Sequence, residues 1–273
     1  MLRLILWVWV TALLAGCAQS TAVSTPTPTA NPPQLLRIGL TTSAVAHAEA
    51  ITNAYTAVTN QAILQFVPGN TAVLQNALAA GELDAILVHA LPDAYSHWFN
   101  PVALDGLALL VHPTNPLANL TRTEAQAIFN GRVTNWAELG GPDQPIQVII
   151  REPGSGARTL FTSQIMAAQR PTINAQIAAS HSEMLTAIAN SETAVGFAMM
   201  GGIPTTDPVK MLTVDGIAAI PAQTASQNYP LTAPLYIATS SPQEPQGELR
   251  AFIAWLQSDG GQAVLGNWYG RIR

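Results

Sequence analysis

"LLRIGLTTSAVAHAEAITNAYTAV" (Leu35–Val58) changes its hydrophobic period halfway along. Leu35 to Leu40 is a short, almost continuous apolar run, the pattern of a strand buried on both faces. Further on, Val45, Ala48, Ile51, Tyr55 and Val58 fall on one face at helical spacing, with Thr42 or Ser43 placed to cap that helix. The alternation then repeats. Ala62–Val67 reads as a strand, and Gly69 to Gly81 holds a helix capped by Asn70 or Thr71 and stopped by Gly81. Leu83–Ala90 reads as a third strand. Strand, helix, strand, helix, strand predicts an α/β fold with a mostly parallel sheet and helices on its faces.

The pattern restarts in the second part of the chain. Leu107–Pro113 reads as a strand, and Thr121 with Glu124 forms a capping box for a helix ending near Asn130–Gly131. Ile146–Glu152 reads as a strand, Ser182–Glu192 as a helix and Ala194–Met200 as a strand. Pro230–Thr239 is extended, and two helices, Gln246–Ser258 and Gly260–Trp268, close the chain. A chain of 273 residues accommodates two lobes of ordinary size.

Composition removes several classes of function. With 48% hydrophobic and 10% charged residues, the chain has ample apolar surface for a core. The net charge is −5 with no basic run, which argues against nucleic acid as a partner. The five histidines show no metal-ligand spacing, and no second cysteine joins them. Most of them read as surface or strand-end residues, with Trp136 and Trp268 as packing residues. No cofactor is indicated.

The N-terminus reads as a targeting segment. "MLRLILWVWVTALLAGC" has Arg3, a short apolar run and small residues before Cys17, the only cysteine. Loss of residues 1–16 would remove Arg3 and shift the net charge from −5 to −6. "LAGC" resembles a bacterial lipobox, which implies that Cys17 is lipidated. The Ser/Thr/Pro-rich stretch that follows reads as an extended tether.

"REPGSGARTLF" (Arg151–Phe161) lies where a strand hands over to a helix. Ligands of open parallel sheets gather at such strand ends. The N–H groups of Ser155, Gly156 and Ala157 begin the helix and lack intrahelical acceptors, and the helix dipole adds positive charge there. Arg151 can add a forked donor suited to tetrahedral oxygens. These parts make an anion cradle; the competing reading is a glycine turn with Arg151 in a surface salt bridge. No lysine follows at P-loop spacing, and Pro153 breaks the nucleophile-elbow pattern. Thr41, Thr42 and Ser43 after the first strand, and Asn70 and Thr71 after the second, could converge on the same anion or serve only as helix caps.

These residues resemble the phosphate-binding family of periplasmic-type substrate-binding proteins of ABC importers. The likeness rests on "VALDGLALLVHPTNP" (Val102–Pro116), "IFNGRVTNWAELGG" (Ile128–Gly141), "REPGSGARTLF", "YPLTAPLYI" (Tyr229–Ile237) and "FIAWLQSDGGQAVL" (Phe252–Leu265). It implies a type II-like fold of two α/β lobes joined by crossing strands near Leu107–His112 and Tyr229–Ile237, with the ligand between them. The expected division is a signal peptide at 1–16, lipidated Cys17 and tether at 17–34, a first lobe at 35–106 plus 238–273, and a second lobe at 107–237. The resemblance assigns the anion to Arg151, Ser155, Gly156 and Ala157, the last standing where the family usually has threonine. His89 occupies the place of an aspartate that accepts the proton of bound phosphate. "ILVHA" and the "TTS" loop instead look like tungstate-binding relatives.

The expectation is therefore an extracytoplasmic, lipid-anchored, monomeric receptor, not an enzyme, that gives phosphate to a membrane-embedded ABC permease. Tungstate or molybdate is the alternative ligand. A membrane-tethered anion sensor and a hydrolase using Ser155 as nucleophile are the rivals.

Overall fold

The computed structural model describes residues 32–167 and 169–272. The signal peptide, Cys17 and nearly all of the tether lie outside the described residues. The first half contains β1 (Gln34–Thr41), α1 (Ala48–Thr56), β2 (Ala62–Gly69), α2 (Thr71–Ala79), β3 (Ala85–Val88) and β4 (Phe99–Val111). The middle contains β5 (Asn119–Leu120), α3 (Arg122–Phe129), β6 (Gln147–Arg151), α4 (Gly156–Phe161), β7 (Gln176–Ala178), α5 (His181–Ala189), β8 (Ala194–Met199) and β9 (Lys210–Val214). The chain closes with α6 (Pro221–Ala225), β10 (Thr232–Ala238), α7 (Gly247–Gln257) and α8 (Asp259–Leu265). None of the described helices is long and apolar enough to cross a membrane.

The main sheet path is β2-β1-β3-β10-β4-β8-β6-β7. At one end β1 lies parallel to β2 and β3; at the other β6 lies parallel to β7 and β8. Between them β10 runs antiparallel to both β3 and β4. β4 changes partners along its length: Phe99 to Gly106 pair with β10, whereas Leu107 to Val111 pair with β8. Two large cores follow this change, beside a smaller cluster of Leu74, Leu78, Leu83, Ile86, Val88 and Ala238. One consists of buried residues between Leu107 and Leu231. The other joins residues from Leu36 to Ala103 with residues from Leu235 to Tyr269. This is a two-lobed α/β fold with antiparallel crossing strands.

Local chemistry explains the close packing at the strand ends. In β1, Leu36, Ile38 and Leu40 are buried. A β-carbon at Gly39 would stand only 2.7 Å from Leu83 and 2.9 Å from Leu74, so glycine lets α2 lie against the strand. In the second lobe Phe161, the last residue of α4, stacks on Phe197 of β8 with ring centres 4.0 Å apart, and Phe129 meets it edge-on at 4.6 Å. Such pairs add about 0.5–1.5 kcal/mol beyond their buried area. They fix one end of a short helix whose other end faces the cleft.

Three sequence readings need correction. The first helix does not start at Thr42 or Ser43: a 3-10 turn covers Val45–His47, α1 begins at Ala48, and neither Val45 nor Val58 is buried. The start is delayed because the His47 ring reaches across to the Gly201 carbonyl (2.6 Å) and stacks on Trp268. β4 starts at Phe99, well before Leu107, because pairing with β10 overrides the strand-breaking character of Pro101, Asp105 and Gly106. Ser180, not Ser182, precedes α5: its hydroxyl accepts from the Glu183 N–H at 3.0 Å, making His181 the first helical residue.

Candidate functional site

Arg151 is the last residue of β6 and is only 2% exposed, contrary to the surface salt-bridge reading. It is nevertheless ion-paired. Nε donates to Glu152 Oε2 at 2.8 Å and Nη2 to Glu152 Oε1 at 3.0 Å, a bidentate arrangement that fixes the plane of the guanidinium. Nη2 also reaches Thr42 Oγ1 across the cleft at 3.3 Å. From the next turn, Arg158 Nη1 donates to the Arg151 carbonyl at 2.7 Å. Gly154 has φ 84°, a conformation that favours glycine, and its carbonyl accepts from the Ala72 N–H at 3.1 Å. Ser155 is the buried N-cap residue of α4, but its side chain makes no capping bond. Gly156 and Ala157 then contribute the first backbone donors of α4.

The first lobe meets this loop with the segments expected from the sequence. Thr71 Oγ1 would lie 2.7 Å from a β-carbon at Gly156, and the Ala90 N–H nitrogen 3.6 Å from it. The starts of α2 and α4 therefore touch only because position 156 is glycine. Asn70 serves its own helix, since its Oδ1 caps α2 by accepting from the Val73 N–H at 3.0 Å. Thr41 and Ser43 are buried at and just beyond the end of β1. Ser43 Oγ and Thr71 Oγ1 are buried without hydrogen-bond partners. Neither hydroxyl serves as a helix cap.

His89 follows β3 and is almost wholly buried. Its Nε2 lies 2.9 Å from Asp105 Oδ2, while Nδ1 has no partner. Asp105 Oδ1 accepts from the Gly106 N–H at 2.7 Å and the Gly201 N–H at 2.9 Å. This carboxylate, on crossing strand β4, therefore joins the His89 loop of the first lobe to Gly201 of the second. No sequence motif signalled this partnership.

Two more histidines depart from the surface reading. His47 and His181 are both buried. Burial lowers the His47 pKa, against the opposing hydrogen bond to Gly201 and the charge of Asp105. Burial also pushes His181 down to about 4; Arg151 and His89 act in the same direction, while the Gly202 carbonyl and Asp105 oppose it. The sequence does not single out His181 because the expected helix begins one residue after it; it is the first residue of α5, three positions beyond the end of β7. Glu152 was passed over because an acid beside an arginine in sequence says nothing about where either side chain points.

The assembly can hold an anion. It combines a fixed buried guanidinium, the N-terminus of α4 and hydroxyls with no protein partner. A cavity of about 630 Å³ opens alongside, with Thr42, Ser43, His181 and Gly202 in its wall. Arg151 and Ser155 do not line it, so the cavity is a neighbour of the cradle rather than the cradle itself. Among the described residues no cluster of acidic, histidine and cysteine side chains is arranged to hold a metal ion.

Comparison with known proteins agrees with this architecture. "Phosphate-binding protein PstS" of Bacillus subtilis (strain 168) is 29% identical over 180 residues, covering 66% of this chain and 57% of that protein. The match thus spans little more than half the length of that relative. A Clostridium perfringens protein crystallised with bound phosphate superposes with a TM-score of 0.81 at 24% identity, over 88% of this chain and 100% of the other. An ABC-type phosphate transport receptor from Vibrio cholerae gives a TM-score of 0.70 at 26% identity, over 87% and 100%. The PBP superfamily domain matches residues 25–260, and with the two-lobed fold and its strand-end cleft this makes the chain a member of the PBP superfamily.

Proposed function

We propose that the protein is an extracytoplasmic receptor that binds a tetrahedral oxyanion, phosphate, between its lobes and delivers it to an ABC importer. The observation that carries this reading is the pair of buried hydroxyls left without partners, Ser43 Oγ next in sequence to Thr42, which Arg151 reaches, and Thr71 Oγ1 against Gly156 of the GSG loop. A buried polar atom without a hydrogen bond is costly, and an oxyanion would satisfy both hydroxyls at once. Arg151 then acts as the charged anchor, held in plane by Glu152. Ser155, Gly156 and Ala157 supply donors from the second lobe, while Thr41, Thr42, Ser43, Thr71 and His89 form the opposing wall. Asn70 supports that wall by capping α2. The loss of a hydroxyl at Ala157 leaves its backbone N–H in place.

The lobes in this reading are 35–106 with 238–273, and 107–237; the partner change in β4 supports the first boundary, whereas Leu235 and Ile237 on the second crossing strand pack into the first-lobe core. Lipidation at Cys17 and a tether through residue 34 would keep a monomeric receptor at the outer face of the membrane. The phosphate-binding relatives named above support a receptor rather than an enzyme. Tungstate or molybdate is the second reading, because an imidazolium at His89 held by Asp105 would suit a fully ionised oxyanion. Calorimetry of ligand-free protein with phosphate, sulfate, tungstate and molybdate tests both. Phosphate should bind most tightly; preference for tungstate or molybdate would replace phosphate with the second reading, and no binding of any of the four would end the oxyanion reading.

A further inference from the structure

Nothing in the sequence distinguished His181, yet its surroundings define its chemistry. Its Nε2 is 2.7 Å from the Gly202 carbonyl oxygen. A carbonyl can only accept, so Nε2 carries a hydrogen. The ring is 5% exposed, and burial holds it neutral at ordinary pH. A neutral imidazole with hydrogen on Nε2 presents a bare lone pair at Nδ1. That Nδ1 is buried and has no partner.

The ring lines the cavity beside the cradle, in one wall with Thr42, Ser43 and Gly202. Arg151 from the end of β6, Asp105 from β4 and His89 after β3 all act electrostatically on it. A β-carbon at Gly202 would collide with the Ser43 carbonyl and lie 2.9 Å from His181 Nε2, so Gly202 is held between the Ser43 loop and the ring. Most polar groups facing the ion are donors, suited to ionised oxygens. A lone pair among them is attractive only to an oxygen that still carries hydrogen, and it repels a fully ionised one.

We propose that His181 is a ligand-binding residue whose Nδ1 accepts the proton of a protonated tetrahedral oxyanion, so that the cleft takes hydrogen phosphate and disfavours sulfate. This rests on the reading that the cleft binds a tetrahedral oxyanion. The acceptor then comes from the second lobe and acts whichever protonation state His89 adopts. Two side chains divide the roles of the ring. Glutamine can keep a donor near the Nε2 position toward Gly202 without an acceptor at Nδ1, and asparagine can keep an acceptor near Nδ1 without reaching Gly202.

The experiment is calorimetry with phosphate and with sulfate at pH 7 on wild type, His181→Gln and His181→Asn. His181→Gln should lower the preference for phosphate over sulfate roughly ten- to hundredfold, the range for a hydrogen bond to a charged group. His181→Asn should keep most of that preference. An unchanged preference in His181→Gln overturns the His181 assignment and leaves the oxyanion site standing, whereas wild type binding neither ion removes the site itself. Nitrogen NMR of His181 in wild type provides a test independent of variant folding. Saturating phosphate should move the Nδ1 resonance toward the hydrogen-bonded position, and an unmoved resonance would equally overturn the assignment.

Discussion

Thr121 and Thr71 both stand at helix starts, and they use the same hydroxyl in opposite ways. Thr121 Oγ1 accepts from the Glu124 N–H at 3.1 Å and donates to Glu124 Oε2 at 2.9 Å, so its bonding is complete within one turn. Thr71 is more deeply buried, adjoins the GSG loop, and its Oγ1 has no partner. The cap of α2 is supplied by Asn70 instead. A hydroxyl at a helix start is thus structural when the local turn completes its bonds. It becomes a candidate ligand group when another residue already caps the helix. Ser43 belongs with Thr71: it caps nothing, and α1 begins only at Ala48.

The contrast can be tested most strongly at Arg151, the charged centre of the side on which bonds remain open. Arg151→Ala should weaken phosphate binding by roughly thirtyfold or more, since losing a partner of a buried charge pair costs about 2–5 kcal/mol. Calorimetry giving near-wild-type affinity would show that the guanidinium serves only Glu152.

Next in size is a pH effect. His181 in the folded protein titrates at about 4, below the ordinary value of 6.5, so its contribution to stability is complete above 6.5 and declines as pH falls toward 4. The decline is up to ~3 kcal/mol at 1.36 kcal/mol per pH unit. Buried His47 is shifted the same way. Urea unfolding at pH 7, 5.5 and 4.5 should show a shallower loss for His181→Gln than for wild type; equal slopes would mean that His181 is not the group responsible.

Thr71→Val should weaken phosphate binding by about tenfold, the lower end for a lost bond to a charged ligand. The ligand-free variant should melt no lower than wild type, because an unpartnered buried hydroxyl is removed. A lower melting temperature with unchanged affinity would put Thr71 in the same class as Thr121. The smallest effect is expected at Thr121→Ala, which should cost about 1 kcal/mol of stability as a lost cap and leave phosphate affinity unchanged.

Much of this organisation is written in local patterns. The alternating periods of Leu35–Ala90 announce the first parallel strands, and Thr121 with Glu124 announces its helix by capping chemistry alone. Arg151, Ser155, Thr71 and Ser43 could be named because they sit at strand-to-helix junctions, where sheet topology brings distant segments together. Asp105 could not be named. It lies within the quoted stretch Val102–Pro116 but ahead of the strand expected at Leu107–Pro113, and pairing with β10 is what extends β4 back over it. His181 escaped because one residue of error at a helix start moved it out of the element. His47 is buried by Trp268 and by Gly201, more than 150 positions away, which no local window can register.

The two cores also differ in how the chain supplies them. The second-lobe core lies within one uninterrupted stretch, Leu107 to Leu231, whereas the first-lobe core needs residues up to Ala103 and again from Leu235 to Tyr269. A chain made from its N-terminus therefore completes the second lobe's core before the first lobe's. During that interval β1 to β3 lack the apolar cover of Phe252, Ile253, Leu256 and Leu265. Exposed strands of this kind are prone to association with other chains. The last part of the sequence thus acts as the closing clasp of the first lobe, and a nascent chain cut short before α7 carries a finished GSG loop opposite an unfinished first lobe.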